Sequence, residues 1–369
     1  MIYLDNAATT CVRPEVRAAM EPFLDRDYGN ASSPHAAGRR ARRALEDARE
    51  TVAAVLGGDP KEIVFTSGAT ESNTLAIAGA AEALHGRADH LVTTAVEHPS
   101  VLETFARLQK QGWKVTRVPV DGVGLVDPAR VAAAVTPRTA LVSVMAVNNE
   151  VGTLQPIAAI RKAAPGVLFH TDAAQAIGKV AVDVRDADLV TFSAHKFHGP
   201  KGVGGLWIRK GTPVAAQFVG GGQEFERRAG TENVAGAVGL AAAMKLAIPG
   251  RMEELRERLL KGLADARVAG SPDRRAPHIL NVAFDGVDGE ALILALDSAG
   301  VCISSGSACA SMSTKPSHVL TAMGLPADVV KSSVRFSLSM LTTDEDVDGA
   351  LKIVRGVVGR LRRISTVTG

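Results

Sequence analysis

Cysteine is scarce in this chain of 369 residues, which contains only Cys11, Cys302 and Cys309. An odd number of cysteines without a CxxC pair argues against a disulfide framework and against structural zinc. The first residues, MIYLDNAATT, also lack the basic and then apolar pattern of a secretory signal. We therefore expect a protein of the reducing cytoplasm.

Long hydrophobic runs and an excess of charge of one sign are missing as well. The longest apolar stretch, residues 234–244, is about half of the ~20 residues that span a bilayer, and Lys245 ends it. The net charge of +3 is too small to indicate nucleic acid or an anionic membrane as the main partner. We expect a soluble protein with no direct binding to nucleic acid and no membrane association.

The remaining pattern alternates short apolar runs with longer helical stretches, which is typical of an α/β fold with a mainly parallel sheet. Strands are predicted at residues 62–66, 90–94, 114–119, 140–144, 167–170, 189–192 and 205–208, and helices at 33–56 and 70–85. After Pro249 and Gly250, an amphipathic helix at 251–266 opens a smaller α+β part with strands at 279–284, 301–304 and 333–338. The predicted division is a large domain over residues 15–250 and a small domain over 1–14 and 251–369, which carries Cys309.

Polar residues follow two of the predicted strands. Lys196 comes after strand 189–192, where desolvation should lower its pKa and suit it to a Schiff base; a solvated turn lysine is the alternative. Asp172 follows strand 167–170, and open α/β sheets bind ligands at the carboxyl ends of their strands. Its carboxylate could keep a pyridinium nitrogen protonated, with Gln175 near the ring hydroxyl, although an aspartate that caps a helix is the alternative.

Two further segments could contact the same kind of ligand. A turn of small residues precedes Ala69 and Thr70 at a helix start, where backbone N–H groups and the helix dipole favour a phosphate. His98 follows strand 90–94 and could stack on a flat cofactor and move protons; a surface histidine is the alternative. His195 and His198 have HxxH spacing, but they lie in a Gly/Pro-rich loop without an evident third ligand, so no metal site is predicted.

Cys309 and Arg335 are the last candidates. Cys309 lies among small polar residues in SSGSACASMST, which indicates an exposed thiol, whereas Cys302 in AGVCIS has the apolar neighbours of a packing cysteine. An unreactive surface cysteine is the alternative for Cys309. Arg335 interrupts an alternating strand and could hold a carboxylate through two parallel hydrogen bonds; an arginine that faces solvent is the alternative.

Together and in this order, these segments resemble the cysteine desulfurases, class V aminotransferase-like enzymes of pyridoxal-phosphate fold type I, in their group I form. The matching segments are YLDNAATT, GATES, VEHPSV, VNNEVG, TDAAQ, SAHKFHGPKGVG, RAGTEN, SSGSAC and SSVRFSL, spread over nearly the whole chain. The resemblance implies that the protein removes sulfur from L-cysteine, with pyridoxal 5'-phosphate as cofactor. It also implies L-alanine and a persulfide on Cys309 as products, and a sulfur-acceptor protein as partner.

The resemblance further implies roles for single residues. Lys196 would form the Schiff base and then act as base on the substrate α-carbon, and His98 would stack on the ring and take part in catalysis. Asp172 would pair with the pyridine nitrogen and Gln175 with the ring oxygen. The residues implied at the phosphate are Ala69, Thr70, Ser193, His195 and, from the neighbouring subunit of a homodimer, Thr231.

The substrate carboxylate would be bound by Asn149 and Arg335. Two segments depart from the family: residues 29–33 read GNASS where the family often has GNPSS, and residues 223–226 read QEFE where it often has QERG. Neither departure removes an implied catalytic group.

Other functions remain open from the sequence alone. A selenocysteine lyase or another lyase of the same fold would carry similar residues, and a non-catalytic sulfur-binding subunit could keep the fold. The final acceptor also stays open, since the sulfur could serve iron–sulfur clusters, tRNA thiolation or a thio-cofactor.

Overall fold

The computed structural model describes residues 1–305 and 316–367, with side chains as far as residue 364. The strands in these ranges are β1 (Ile2–Tyr3), β2 (Ile63–Thr66), β3 (His90–Thr94), β4 (Lys114–Val118), β5 (Thr139–Ser143), β6 (Leu168–Asp172), β7 (Leu189–Ser193), β8 (Gly204–Ile208), β9 (Arg267–Ala269), β10 (Ile279–Ala283), β11 (Val301–Cys302) and β12 (Ser333–Ser337). The α-helices in the same ranges are α1 (Pro14–Met20), α2 (Pro22–Asp25), α3 (Ala36–Leu56), α4 (Ala69–Ala83), α5 (Pro99–Lys110), α6 (Pro128–Ala134), α7 (Ile157–Ala163), α8 (Val234–Leu246), α9 (Met252–Gly262), α10 (Gly289–Ser298), α11 (His318–Ala322), α12 (Ala327–Ser332) and α13 (Asp344–Val367).

A seven-stranded sheet of described strands organises the larger part of the chain, in the order β2-β8-β7-β6-β5-β3-β4. Strand β8 runs antiparallel to both of its neighbours, and the other neighbouring pairs are parallel. Strands β3, β5 and β7 are buried at every residue, as expected of parallel strands with both faces covered. The antiparallel strand β8 is buried at every residue as well. The predicted α/β fold with a mainly parallel sheet is therefore confirmed.

A second core lies in the carboxyl-terminal part. Strands β12, β10 and β9 form an antiparallel sheet of three described strands, and β1 pairs in parallel with β11. The apolar cluster here contains Leu259 of α9, Phe336 of β12 and Val354 of α13. Leu4, the residue after β1, belongs to the same cluster, so the start of the chain packs with residues such as Leu259, more than 250 positions later.

An amino-terminal arm, residues 5–11, links the two cores. The Asn6 side-chain amide donates to the Ser337 carbonyl at 2.9 Å, and the Thr10 hydroxyl donates to the His195 carbonyl at 3.0 Å. The backbone N–H of His198 returns a hydrogen bond to the Thr10 hydroxyl at 2.7 Å. The arm is thereby fixed across the carboxyl end of β7, where the predicted site lies.

Most predicted elements occur within two residues of their predicted bounds. Helix α3 begins three residues later than predicted because His35 is its N-cap, with Nδ1 accepting the Gly38 N–H at 3.2 Å. Strands β1 and β9 were not predicted. Among the described residues, no helix combines the length and the apolar character needed to cross a membrane.

Candidate functional site

The carboxyl ends of β6 and β7 bring Asp172 and Lys196 to the same edge of the sheet. The two strands are parallel neighbours, with Asp172 opposite Thr191. Asp172 is buried; its Oδ2 accepts from the Asn73 amide at 2.8 Å and its Oδ1 from the Ala174 N–H at 2.9 Å. Each carboxylate oxygen of Asp172 thus has an N–H donor, which holds the group in one orientation at the end of β6.

Backbone carbonyls of the arm surround the Lys196 amine. Its Nζ donates to the Ala7 carbonyl at 2.7 Å and to the Ala8 carbonyl at 2.8 Å. Gln175 uses the same Ala7 oxygen, to which its Nε2 donates at 2.8 Å, and its Oε1 lies 3.2 Å from Nε2 of buried His278. Lys196 and Gln175 thus meet at the Ala7 carbonyl of the arm.

The amino end of α4 is shaped to accept an anion. No described side chain caps this end at Gly68, so the N–H groups of its first turn remain available to a ligand. Ser193 is adjacent, since a Cβ on Gly68 would lie 3.6 Å from its hydroxyl. A Cβ on Gly204 of β8 would lie 2.7 Å from the Gly68 Cα, so β8 can approach this turn so closely only with glycine at position 204.

His195, which the resemblance also implies at the phosphate, is half-buried just after the end of β7. Its Nδ1 lies 3.1 Å from the Thr9 hydroxyl. Burial, together with the charges of Lys196, Lys201 and Lys179, lowers the pKa of His195 to about 4. The imidazole is therefore neutral near pH 7, and it can serve an anion as a hydrogen-bond donor rather than as a charge.

His98 is the N-cap of α5. Its Nδ1 accepts the Ser100 N–H at 3.1 Å and lies 2.8 Å from the Ser100 hydroxyl. Burial lowers the pKa of His98, with the Asp172 charge acting in the opposite direction. A neutral ring with Nδ1 as acceptor carries its proton on Nε2, which defines the nitrogen available for proton transfer.

Arg335 lies inside the protein rather than facing solvent, with 1% of its surface exposed. Its Nη1 donates to the Asn149 carbonyl at 2.7 Å, and its Nη2 to the Asp5 carboxylate at 3.0 Å and the Ser304 hydroxyl at 2.9 Å. The two residues implied at the substrate carboxylate are thus in direct contact. The Asp5 carboxylate beside the guanidinium gave no signal in the sequence analysis.

Thr231 is exposed and lines a cavity of about 110 Å³ with Thr66, Ser67 and Arg228. The Arg228 guanidinium donates to Glu71 of α4 at 2.8 Å, so the segment before Thr231 is attached to the amino end of α4 in its own chain. A contact of Thr231 with a neighbouring subunit stays a prediction.

The two described cysteines, Cys11 and Cys302, occupy different surroundings. Cys309 lies outside the described residues. Before residues 306–315, Ser304 pairs with Arg335; after them, the Ser317 hydroxyl donates to Glu150, the neighbour of Asn149, at 2.5 Å. Cys302 is half-buried in β11, and Cys11 is exposed with its sulfur 3.7 Å from Nδ1 of His198.

Several groups that complete the site were missed. Ala7 and Ala8 act through backbone carbonyls, which carry no side-chain signal. Asn73 and Ser100 lie inside segments that were singled out for their neighbours, and only the fold brings them to Asp172 and His98.

Comparisons with known proteins agree with this geometry. The aminotransferase class-V family profile matches residues 2–349. The cysteine desulfurase IscS of Dictyoglomus turgidum is 45% identical over 99% of this chain and 96% of its own length. A cysteine desulfurase of Cereibacter sphaeroides is 47% identical over 99% of this chain and 97% of its own length.

Solved structures show the same relationship. A NifS-like protein aligns with a TM-score of 0.91 and 40% identity, over 97% of this chain and 99% of its own. A structure titled SspA in complex with cysteine aligns with a TM-score of 0.85 and 36% identity, over 93% of this chain and 100% of its own.

The chain belongs to the class-V aminotransferase family and, within it, to the cysteine desulfurases. These are pyridoxal-phosphate enzymes of fold type I. The residues of this site fit that cofactor: a buried carboxylate with two N–H donors, a lysine at the end of the neighbouring strand, and a helix start without a side-chain cap lie along one edge.

Proposed function

We propose that this protein is a cysteine desulfurase that transfers sulfur from L-cysteine to its own Cys309 and releases L-alanine. The observation that carries the proposal is the arrangement of Lys196 and Asp172 at the ends of adjacent parallel strands, with the Lys196 amine enclosed by the Ala7 and Ala8 carbonyls. The relative whose title reports a complex with cysteine supports cysteine as substrate.

When bound, pyridoxal phosphate supplies a ring that withdraws electrons from the substrate α-carbon. In the proposed arrangement Asp172 pairs with the ring nitrogen and Gln175 with the ring oxygen. The groups proposed to hold the phosphate are the first-turn N–H groups at Ala69 and Thr70, the side chains of Ser193 and His195, and Thr231 of the partner subunit. Their positions along the amino end of α4 and the end of β7 support this assignment.

Lys196 would anchor the cofactor and move the proton of the substrate α-carbon, and His98 would stack on the ring and exchange protons through Nε2. Arg335 and Asn149 would hold the substrate carboxylate. In the sulfur step, the Cys309 thiolate attacks the substrate sulfur: an S–S bond forms and the Cβ–S bond breaks. The electron pair of that bond stays with carbon, so alanine leaves after protonation and sulfur remains as a persulfide.

A homodimer is part of the proposal. Three large apolar side chains in the residues that precede Thr231 are exposed in the single chain. They are Phe218 at 52%, Val219 at 86% and Phe225 at 45%. A partner subunit that covers them would bring Thr231 near a second active site.

Three further expectations belong to the same proposal. The large part would comprise residues 15–250, and the small part residues 1–14 and 251–369; the shared apolar cluster around Leu4 supports this division. The protein would act in the cytoplasm. The persulfide would pass to an acceptor protein.

Two variants separate the proposed roles. Lys196→Ala should lose both the covalent attachment of the cofactor, detected by borohydride reduction and peptide mass spectrometry, and alanine formation. Cys309→Ser should keep the covalent cofactor and bind cysteine, yet release almost no alanine and carry no persulfide. Cys302→Ser serves as the matched control and should keep most activity.

Cofactor attached covalently in Lys196→Ala, or sulfide release near the wild-type rate in Cys309→Ser, would contradict the proposal. Loss of activity in a folded Cys302→Ser protein would mean that Cys302, and not Cys309, carries the sulfur.

A further inference from the structure

One side-chain amide joins two groups of the proposed site that lie on different elements. Asn73 of α4 is fully buried. Its Nδ2 donates to Asp172 Oδ2 at 2.8 Å and to the Ser100 hydroxyl at 2.9 Å. The same hydroxyl lies 2.8 Å from Nδ1 of His98. A continuous path of hydrogen bonds therefore runs from Asp172 to His98.

The chemistry of Asp172 fixes the direction of this path. An ionised carboxylate only accepts hydrogen bonds, so Asn73 must turn its NH2 group towards it. Both amide hydrogens are then used, one on Asp172 and one on Ser100. Because the Ser100 oxygen accepts from Asn73, its own hydrogen is available to His98 Nδ1, which the Ser100 N–H also contacts at 3.1 Å.

The arrangement costs stability at one atom. The Asn73 Oδ1 is buried and has no hydrogen-bond partner among the described residues. An unpaired buried acceptor destabilises a folded protein, and an apolar residue of similar size would avoid the cost. An asparagine at position 73 in spite of this cost favours a role in the site over a role in packing.

We propose that Asn73 is a positioning residue, whose amide holds the Asp172 carboxylate and, through Ser100, the His98 imidazole in one fixed unit. This inference rests on the proposed roles of Asp172 and His98 towards the cofactor. It assigns to Asn73 the task of keeping a donor on Asp172, so that the carboxylate keeps its orientation when the ring nitrogen is paired with it.

Replacing the amide with a carboxyl group of the same shape tests this role. In Asn73→Asp the new carboxyl group can donate to Asp172 only while it is protonated. Burial and the Asp172 charge would raise its pKa, so the donor is present at low pH and is lost as pH rises through that pKa. The titratable groups coupled electrostatically to Asp172, or to His98 beside it, are Glu97, His98, His170, Lys196 and His318.

The experiment measures the dissociation constant of pyridoxal phosphate by equilibrium dialysis from about pH 6 to about pH 9. Asn73→Leu should bind the cofactor about 10-fold more weakly at every pH, the value of one hydrogen bond to a charged group. Asn73→Asp should approach wild type at low pH and fall to about the level of Asn73→Leu at high pH. The control is Thr93→Val, which replaces a buried hydroxyl with no partner among the described residues and should match wild type.

A second readout does not depend on cofactor binding. With 15N-labelled histidine, the His98 resonances should show the proton on Nε2, assigned by their loss in His98→Gln. A proton on Nδ1 would overturn the proposed direction of the path.

A ratio of dissociation constants between Asn73→Asp and wild type that does not change with pH would also overturn the inference, because shape alone would then explain the effect. If wild type binds the cofactor and forms alanine while both Asn73 variants match it, the inference fails and the proposed function stands.

Discussion

The proposed substrate carboxylate site makes a quantitative prediction for Arg335. Its guanidinium spans the Asn149 carbonyl at 2.7 Å, the Ser304 hydroxyl at 2.9 Å and the Asp5 carboxylate at 3.0 Å, with 1% of the residue exposed. Arg335→Met removes the charge and all of these donors while it keeps an unbranched, though shorter, side chain. Arg335→Lys keeps the charge, but a single ammonium group cannot reproduce the planar fork.

Arg335→Met is expected to weaken two properties, the binding of L-cysteine and the stability of the fold. Two charge-assisted hydrogen bonds to the substrate carboxylate, at about 1.5–2 kcal/mol each, correspond to an increase in KM for L-cysteine of roughly 100- to 1000-fold in Arg335→Met. The free energy of unfolding should also fall by about 3–5 kcal/mol, because Asp5 loses its partner. The lower part of that range is expected, since the Asp5 side chain keeps 18% of its surface exposed to water.

Dissociation constants measured for L-cysteine and for cysteamine, which lacks the carboxylate, separate the effect on carboxylate binding from the effect on stability. Arg335→Met should weaken binding of L-cysteine and leave that of cysteamine nearly unchanged. Arg256→Met is the matched control: Arg256 is also buried and donates to the Ala276 carbonyl at 2.7 Å, so its loss should affect stability and not KM. Equal losses for cysteine and cysteamine in Arg335→Met would refute a role in carboxylate binding.

Two other predictions concern the segment that leads to Thr231. Sedimentation should show a dimer of the 38.4 kDa chain, and Phe218→Asp should shift it towards monomer and weaken cofactor binding; a fully active wild-type monomer would rule the shared site out. Glu226 has a left-handed φ of 62°, so Glu226→Gly should stabilise the fold by about 1 kcal/mol and raise Tm by about 1–2 °C. Glu226→Ala keeps the strained backbone and should therefore not raise Tm. Equal Tm values for the glycine and alanine variants would refute strain at this position.

The strands of the main sheet could be predicted because each is a short apolar run with polar ends. Strand β3 was predicted at its observed bounds, and Asp172 and Lys196 were placed at strand ends for the same reason. Strand β1 has only two residues, and it exists because β11 lies beside it. Pairing of that kind depends on the tertiary fold, so no local pattern in the sequence could indicate it.

The candidate site could be predicted only where a side chain carries the chemistry. Arg335 illustrates the limit: its sequence context left a solvent-facing side chain open, whereas the fold buries it against the Asp5 carboxylate. The Ala7 and Ala8 carbonyls illustrate it further, since any residue type offers the same oxygen. The physical reason is that these contacts join positions more than 180 residues apart, which only the arm brings together.

The QEFE departure shows how tertiary contacts can impose a conformation that the local sequence disfavours. Glu224, Phe225 and Glu226 have φ values of 47°, 59° and 62°, a costly left-handed run for residues with side chains. Glu224 forms a buried ion pair with Arg49 at 2.8 Å and accepts the Phe65 N–H at 2.8 Å, while the Arg49 guanidinium lies 4.9 Å from the centres of both the Phe65 and Phe225 rings. Because these contacts anchor Glu224 and Phe225 but not the exposed Glu226, relief of strain should be cleanest at Glu226, where glycine costs no packing.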